Sequence, residues 1–227
     1  MIIAIDGPSG AGKSTVSDEV AKILGFSHLD TGAMFRAVAY GALKNGVDVS
    51  DEEGLAQIAE NDKIIFETEE GNPAYKSILM AGEDITSQIR TDEVTKAVTP
   101  VCKHPKVREA LLRQQREIGK SGNYILDGRD IGTVVFPDAE LKIFLDASAE
   151  ERAKRRVLQN EQSGVGSTDY DEVLADINRR DEEDSNRTVA PLRPAEDAVQ
   201  LDSTSKSKQE VIDEIVRLAK EKQSENA

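Results

Sequence analysis

The chain of 227 residues has 43 acidic and 29 basic side chains and a formal net charge of −14 at pH 7. This excess of negative charge argues against a general nucleic-acid binder, which needs a basic face. The hydrophobic content of 38% is ordinary for a globular protein, and no apolar run approaches the ~20 residues of a membrane helix. We expect one well-packed domain with insertions, or two small domains, without membrane association.

The cysteine content and the first residues favour a cytoplasmic location. Cys102 is the single cysteine, so no internal disulfide can form, and with two scattered histidines it makes no metal cluster. We expect it to be a small buried hydrophobe. The chain leads directly into an apolar run without a basic stretch, so we expect no signal peptide. His28 and His104 have no acid–base partners in the sequence pattern, and we expect core or surface roles for both.

Segment 2–15 carries a phosphate-binding pattern. An apolar run, Ile2–Ile5, leads into Gly7-x-x-x-x-Gly12-Lys13-Ser14, and apolar residues at helical spacing follow. This order of strand, glycine-rich loop and helix predicts a P-loop, whose backbone N–H groups surround phosphate oxygens. Lys13 is expected at the β- and γ-phosphates and Ser14 on Mg²⁺. The pattern predicts a bound nucleoside triphosphate; the alternative is a glycine-rich turn without a ligand. The predicted triphosphate contacts are Gly7, Pro8, Ser9, Gly10, Ala11, Gly12, Lys13, Ser14 and Thr15.

Five short apolar runs predict strands that alternate with helices. These runs are 2–5, 26–29, 124–127, 141–146 and 198–201. The alternation predicts an α/β fold with an open, mainly parallel, five-stranded sheet and helices on both faces. Ligands of such sheets bind at the carboxyl ends of the strands. The polar motifs that follow the strands are Asp6-Gly7, Asp30-Thr31-Gly32, Asp127-Gly128-Arg129-Asp130, Asp146 and Asp202-Ser203. We expect them to converge on one rim.

Residues 63–90 depart from the alternation. The runs Lys63–Thr68 and Tyr75–Met80 resemble strands, and the residues between them, 69–73, form a turn cluster. This pattern predicts an antiparallel meander inserted into the parallel fold.

Carboxylates and arginines supply the remaining chemistry. Asp127 ends a predicted strand, as the Mg²⁺-binding carboxylate of a P-loop protein does; the alternative is an Asp that caps the next turn. Phosphoryl transfer between two anions needs cationic side chains, and arginine binds phosphate oxygens in a planar fork. The candidates are Arg36, Arg90, Arg108, Arg129, Arg155, Arg156, Arg179, Arg180 and Arg187. We expect Arg129 to be functional, and Arg113 and Arg152 to be solvated helix residues.

Three further motifs, together with the P-loop, make the chain resemble the bacterial cytidylate (CMP) kinases nearly from end to end. They are LDTGAMFR at 29–36, in which Thr31 and Phe35 replace a Ser and a Tyr of the family, DGRDIGTVVFP at 127–137, and the RDxxDxxR block that begins at Arg180.

The resemblance implies a three-part P-loop kinase. It implies a core of 1–38, 104–154 and 188–227, an enlarged monophosphate-binding domain of 39–103 with the inserted antiparallel sheet, and a short helical lid of 155–187. The implied CMP contacts are Thr31, Arg36, Thr99, Arg108, Arg129, Asp130, Arg180, Asp184 and Arg187. Arg36, Arg108 and Arg129 would grip the phosphate, and the others would lie nearer the base and ribose. Arg155 and Arg156 would meet ATP phosphates when the lid closes. The implied catalytic group is Lys13, Arg129, Arg155, Arg180 and Asp127, with Ser14 and Asp127 on Mg²⁺.

The resemblance implies transfer of a phosphoryl group from ATP to CMP or dCMP by a cytoplasmic monomer, with Mg²⁺ as cofactor. Three alternatives stay open. The chain could be a kinase for another small acceptor, such as UMP, AMP or shikimate. It could also be a nucleotide-binding regulatory protein, although the Asn-Lys-x-Asp motif of switch GTPases does not occur in it. The third alternative is a purely structural α/β domain.

Overall fold

The computed structural model describes residues 1–69 and 72–225. The strands of this part of the chain are β1 Ile2–Asp6, β2 Ser27–Asp30, β3 Ile64–Glu69, β4 Asn72–Met80, β5 Glu83–Asp84, β6 Tyr124–Gly128, β7 Leu141–Asp146 and β8 Val199–Asp202. Its α-helices are α1 Lys13–Leu24, α2 Thr31–Asn45, α3 Glu52–Asn61, α4 Asp92–Val101, α5 Pro105–Gly119, α6 Ala149–Ser163, α7 Tyr170–Asn186 and α8 Lys208–Glu225. A short 3-10 turn covers Gln88–Arg90, and a π-helical turn covers Ile131–Val135.

The chain forms two compact units. The first consists of Met1–His28 and Gly122–Ala227, and the second of Leu29–Ser121. The finer division into a core, a monophosphate-binding domain and a lid stays a prediction. No helix of the described residues is both long enough and apolar enough to cross a membrane.

The main sheet has five strands in the order β2-β6-β1-β7-β8. β1 lies between β6 and β7 and is parallel to both, so that Ile5 is paired with Asp127 on one side and Ile143 on the other. Strands covered on both faces read as continuous apolar runs, and Ile3 and Ile5 are fully buried. The predicted parallel α/β sheet is confirmed.

The core of the first unit lies between this sheet and the helices α1 and α8. Val16 and Val20 of α1 and Ile212 and Ile215 of α8 belong to one buried cluster with the strand residues. α1 ends at Gly25, whose φ of 68° is left-handed and whose N–H bonds the Ala21 carbonyl. This packing fixes the start of α1, and therefore the P-loop, against β1.

The second unit contains the predicted antiparallel insertion. Its sheet has the order β3-β4-β5, and β3 and β4 run antiparallel with Ile64 opposite Met80. The sequence did not predict β5, a two-residue strand paired with the end of β4. Residues 70 and 71 of the predicted turn lie outside the described part of the chain. In the same unit, α2 packs on α4 and α3 packs on α5.

Candidate functional site

The loop between β1 and α1 has the backbone of a phosphate cradle. Gly10 and Gly12 have φ values of 81° and 92°, a region that favours glycine. At Gly7 an added Cβ would lie 1.9 Å from the Leu145 carbonyl oxygen of β7. Glycine is therefore required at this position by close approach of two backbone segments. The loop leads directly into the N-terminus of α1, where N–H groups without helical partners can bind anionic oxygens.

The Lys13 side chain is buried in the loop. Its Nζ donates to the Pro8 carbonyl at 2.8 Å. Burial lowers the pKa of Lys13 to about 7, and the nearby Arg129 acts in the same direction, whereas Asp127 and Asp6 oppose the shift. The ammonium group thus lies where it can exchange a loop carbonyl for a phosphate oxygen, and an anionic ligand would favour its charged form.

Ser14 and Asp127 bring two oxygen ligands together at the end of β6. The Ser14 hydroxyl donates to Asp127 Oδ2 at 2.7 Å. Burial raises the pKa of Asp127, but the hydrogen bonds from His28 and Ser14 and the charges of His28 and Lys13 together outweigh burial, and the pKa lies below its ordinary value. Mg²⁺ typically takes one or two protein oxygens and completes its shell with phosphates and water. No group of three or more His, Cys, Asp or Glu side chains that could hold a metal ion occurs among the described residues.

His28 is a residue of this site that the sequence analysis missed. Its Nδ1 lies 2.6 Å from Asp18 Oδ1 and its Nε2 lies 2.8 Å from Asp127 Oδ1. Burial lowers the pKa of His28, but the two carboxylates together raise it to about 10. The three residues are far apart in sequence, and the pattern around His28 contains no signal for either partner.

Asp6, at the end of β1, holds the segment that follows β6. Its two carboxylate oxygens accept the N–H groups of Ile131 at 2.8 Å and Gly132 at 2.7 Å. Burial raises the pKa of Asp6 to about 6, although both N–H groups oppose that shift. This bidentate contact fixes the turn after Arg129 and Asp130, and it is the local reason why the DGRD motif has a defined position beside the P-loop strand.

Two arginines and two aspartates of the first unit form a charged network. Arg129 Nε donates to Asp184 Oδ2 at 2.9 Å. Arg187 lies 3.6 Å from Asp184 Oδ1 and 3.7 Å from Asp130 Oδ1. The DGRD motif and the RDxxDxxR block, which are 55 residues apart at this contact, are thus brought together. Arg180 lies on the same helix, α7, and is half-buried.

Residues after α7 support this network. Arg187 Nε donates to the carbonyl of Ala190, whose φ of 51° is unusual for a residue with a side chain. The Leu192 N–H donates to the Asp184 carbonyl at 2.8 Å. The segment 190–192 therefore folds back on the end of α7, where it binds the Arg187 side chain and the Asp184 backbone.

Arg152 of α6 is not the solvated helix residue that we expected. Its side chain is buried, and it donates to the Ala147 carbonyl at 2.8 Å, the Ser9 carbonyl at 3.1 Å and Asp181 Oδ2 at 2.6 Å. A planar fork with five N–H donors can satisfy acceptors in several directions at once. The corresponding expectation for Arg113 is confirmed, because that side chain is exposed and pairs with glutamates at the surface.

Arg155 and Arg156, the two arginines predicted to meet ATP, contact different segments of the chain. Arg156 lies nearer the P-loop, with Nη2 3.5 Å from Ser9 Oγ. Arg155 instead contacts the loop after β8, where Nη1 donates to Ser203 Oγ at 3.1 Å and Nη2 to its carbonyl at 2.7 Å. Its Nε donates to Glu151. In this arrangement Arg155 is not brought to the P-loop.

The second unit carries the other predicted CMP contacts. Thr31 is buried at the start of α2, which is capped by Asp30 Oδ1 accepting the Ala33 N–H at 3.0 Å. Arg36 Nη1 donates to Thr95 Oγ1 at 2.9 Å and to the Ile89 carbonyl at 3.2 Å. Thr95 belongs to α4, and it is a partner that the sequence analysis did not identify.

Arg108 and Thr99 belong to the same unit, on α5 and α4. Arg108 donates to the Cys102 carbonyl at 3.3 Å, and its guanidinium lies 5.3 Å from the centre of the Phe35 ring. Thr99 is half-buried on α4, one turn beyond Thr95. Cys102 is partly exposed rather than buried.

A model of the cytidylate kinase family matches residues 3–221. The chain belongs to the cytidylate kinase family. The cytidylate kinase of Pasteurella multocida (strain Pm70) is 50% identical to it over 212 residues, which are 93% of this chain and 92% of the relative. That of Enterobacter sp. (strain 638) is 48% identical over 221 residues, 97% of this chain and 96% of the relative. The resemblance inferred from the four motifs is therefore confirmed.

A comparison with solved structures identifies a protein of similar fold. The crystal structure of an uncharacterized protein from Eubacterium ventriosum matches with a TM-score of 0.50, covering 96% of this chain and 97% of that one. At 11% identity, this likeness concerns the fold alone. The cytidylate kinase family, to which the chain belongs, consists of nucleoside monophosphate kinases that use ATP as donor.

Proposed function

We propose that this cytidylate kinase family member transfers the γ-phosphoryl group of ATP to CMP or dCMP, with Mg²⁺ as cofactor. One observation carries the proposal. Ser14 of the P-loop donates to Asp127 of the DGRD motif at 2.7 Å, and Arg129 of that motif donates to Asp184 of the RDxxDxxR block at 2.9 Å, so hydrogen bonds join the P-loop to both motifs. A triphosphate cradle and a set of arginines for a second anion are what transfer between two phosphates requires.

The donor side of the proposed site is the P-loop. Backbone N–H groups of Gly7 to Thr15 would bind the ATP phosphates, and Lys13 would reach the β- and γ-phosphates. Ser14 and Asp127 would hold Mg²⁺, which would neutralise phosphate charge during transfer. Arg156 is the lid arginine that lies nearer the P-loop, at Ser9. For Arg155 to meet ATP, the contact with Ser203 would have to break.

The residues of the acceptor side are assigned from the family motifs. We assign the CMP phosphate to Arg36, Arg108 and Arg129. Thr31, Thr99 and the group of Asp130, Asp184, Arg180 and Arg187 would serve the base and ribose. Arginine forks suit the phosphate because they bind its oxygens in pairs and keep their charge.

The aspartates account for the choice of base. Cytosine presents an exocyclic amino group, whose N–H a carboxylate accepts, whereas uracil presents a carbonyl there. A uracil base would leave the carboxylate without its hydrogen-bond donor. Such a site discriminates against uracil by a larger factor than apolar contacts alone can reach. Asp130 and Asp184, each held by Arg187, are the carboxylates we assign to this role.

Catalysis in this proposal consists of alignment and charge stabilisation, without a phosphoenzyme. Lys13, Arg129 and Arg180 would stabilise the transferring phosphoryl group in line between donor and acceptor. Closure of segment 155–187 would exclude water, which would otherwise hydrolyse ATP.

The test is a Lys13→Met variant assayed for ADP release with ATP, Mg²⁺ and CMP. Methionine fills the buried site but removes the ammonium group, so we expect a loss of turnover of at least about a hundredfold, the size of a lost transition-state contact. Thermal unfolding of the same variant reports whether the fold is retained. Full turnover in a folded Lys13→Met protein would refute the assignment of the P-loop as the donor site.

A further inference from the structure

Four polar side chains of the first unit form a continuous chain. Asp18 Oδ1 lies 2.6 Å from His28 Nδ1, and His28 Nε2 lies 2.8 Å from Asp127 Oδ1. The other oxygen of Asp127 accepts the Ser14 hydroxyl proton at 2.7 Å. Ionised carboxylates only accept hydrogen bonds, so the imidazole donates from both of its nitrogens.

The chain runs from the surface into the interior. The Asp18 side chain is 37% exposed, whereas those of His28 and Asp127 are 0% and 4% exposed. A buried carboxylate must be hydrogen-bonded, and its orientation follows from where its donors lie. His28 fixes Oδ1 of Asp127, and this leaves Oδ2 directed to Ser14.

We propose that His28 is a positioning residue for the Mg²⁺ site. This inference rests on the proposed function, in which Ser14 and Asp127 hold the cation. His28 holds Asp127 through Oδ1 and presents Oδ2 beside the Ser14 hydroxyl, and Asp18 fixes the imidazole ring from the opposite side. Residues that orient a metal ligand in this way change metal affinity by roughly 10- to 100-fold when they are replaced.

The experiment measures metal affinity in two ways on the full chain. The first is the Mg²⁺ concentration for half-maximal CMP-dependent ADP release, with kcat taken at saturating Mg²⁺. The second is binding of Mn²⁺, as a spectroscopic probe, to the protein with ADP and without CMP. We expect His28→Leu to weaken both by roughly 10- to 100-fold. His28→Gln retains one donor toward Asp127 and should fall between His28→Leu and the unchanged protein.

A surface variant covers the case in which substitutions of His28 prevent folding. Asp18→Ala leaves His28 and Asp127 in place but removes the outer anchor of the ring, so we expect metal affinity to fall several-fold. The matched control is Glu19→Ala, the next residue of α1, which pairs with Lys22 at the surface and should change neither measurement by more than about twofold.

Two results would overturn the inference. One is unchanged Mn²⁺ affinity in both His28→Gln and Asp18→Ala. The other is a lower kcat at saturating Mg²⁺ with an unchanged metal half-saturation, which is the signature of a structural role alone. Failure of the proposed function has a different signature: CMP does not stimulate ADP release by the unchanged protein, whereas the Mn²⁺–ADP measurement still reports on His28.

Discussion

Arg152 of α6 donates to Asp181 of α7 at 2.6 Å, and the same guanidinium binds the Ser9 carbonyl of the P-loop at 3.1 Å. One buried side chain thus joins the phosphate-binding loop to two helices of the first unit. Around it, Ala153, Val173 and Ile177 form a small apolar cluster between α6 and α7. The buried ionic contact joins the same two helices in addition to this apolar cluster, so we expect its loss to lower the free energy of unfolding.

We therefore expect Arg152→Lys to be damaging although it keeps the charge. A lysine cannot reach three acceptors in different directions, and it leaves Asp181 without its partner. Loss of one member of a buried pair costs about 3–5 kcal/mol, and the partial exposure of Asp181 reduces this to on the order of 2 kcal/mol. Denaturant unfolding should show this loss, and KM for ATP should rise.

Arg113→Lys is the matched control for Arg152→Lys. Arg113 is exposed, and surface ion pairs contribute little, so the control should stay within about 0.5 kcal/mol of the unchanged protein. Equal stability of the two variants would contradict the role assigned to Arg152.

Thr95→Val should weaken CMP binding. The Thr95 hydroxyl accepts a hydrogen bond from Arg36 Nη1 at 2.9 Å, and Arg36 is assigned to the CMP phosphate. Valine has the same shape without the acceptor, so the orientation of the guanidinium is less constrained. A hydrogen bond to a charged group contributes about 1.5–3 kcal/mol, which corresponds to a rise in KM for CMP of roughly 10- to 150-fold.

Steady-state kinetics separate this effect from a general defect. KM for ATP should be unchanged in Thr95→Val, because the hydrogen bond that is removed involves Arg36, which is assigned to CMP and not to ATP. The control is Thr68→Val, the same chemical change at an exposed position of β3. A CMP KM that is equal in both variants would show that Thr95 does not position Arg36.

Asp6→Asn should destabilise the protein in a pH-dependent manner. The amide keeps one acceptor oxygen but turns its NH₂ toward the second N–H group, so one of the bonds to Ile131 and Gly132 is lost. The pKa of Asp6 is raised to about 6 in the folded state. Its stabilising contribution is therefore complete below the unfolded pKa of ~3.9 and decreases as the pH rises through about 6.

The expected measurement is the difference in unfolding free energy between Asp6→Asn and the unchanged protein. This difference should be larger at pH 5 than at pH 7.5 by on the order of 1 kcal/mol, because the stabilising contribution of Asp6 decreases over this range. The other titrating groups are common to both proteins and cancel in the difference. A difference that grows with pH would contradict the direction of the Asp6 pKa.

The strands, most helices and the P-loop could be predicted because their signals are local. The apolar runs and the glycines at positions 7 and 12 act within a few positions, and the structure confirms the strand and the helix that they predict. β5 could not be predicted, since Glu83 and Asp84 form a strand only through pairing with β4.

The partners of buried charges could not be predicted from the sequence. Arg152 contacts residues 143 and 29 positions away, and His28 joins residues 10 and 99 positions away. Both residues occur in stretches whose composition is equally typical of a solvated helix or a plain strand. Their roles depend on tertiary contacts that bring distant segments together, and these contacts leave no periodic pattern in the chain.

The transfer reaction is tested most directly by ADP release from ATP and Mg²⁺ with CMP, dCMP, UMP, AMP, GMP or shikimate as acceptor. We expect strong stimulation by CMP and dCMP and a response to UMP that is lower by roughly a hundredfold or more, because a carboxylate that reads the cytosine amino group is left unpaired by uracil. Equal stimulation by UMP would contradict the assignment of Asp130 and Asp184 to the base. Stimulation by none of the six acceptors would contradict the proposed kinase activity itself.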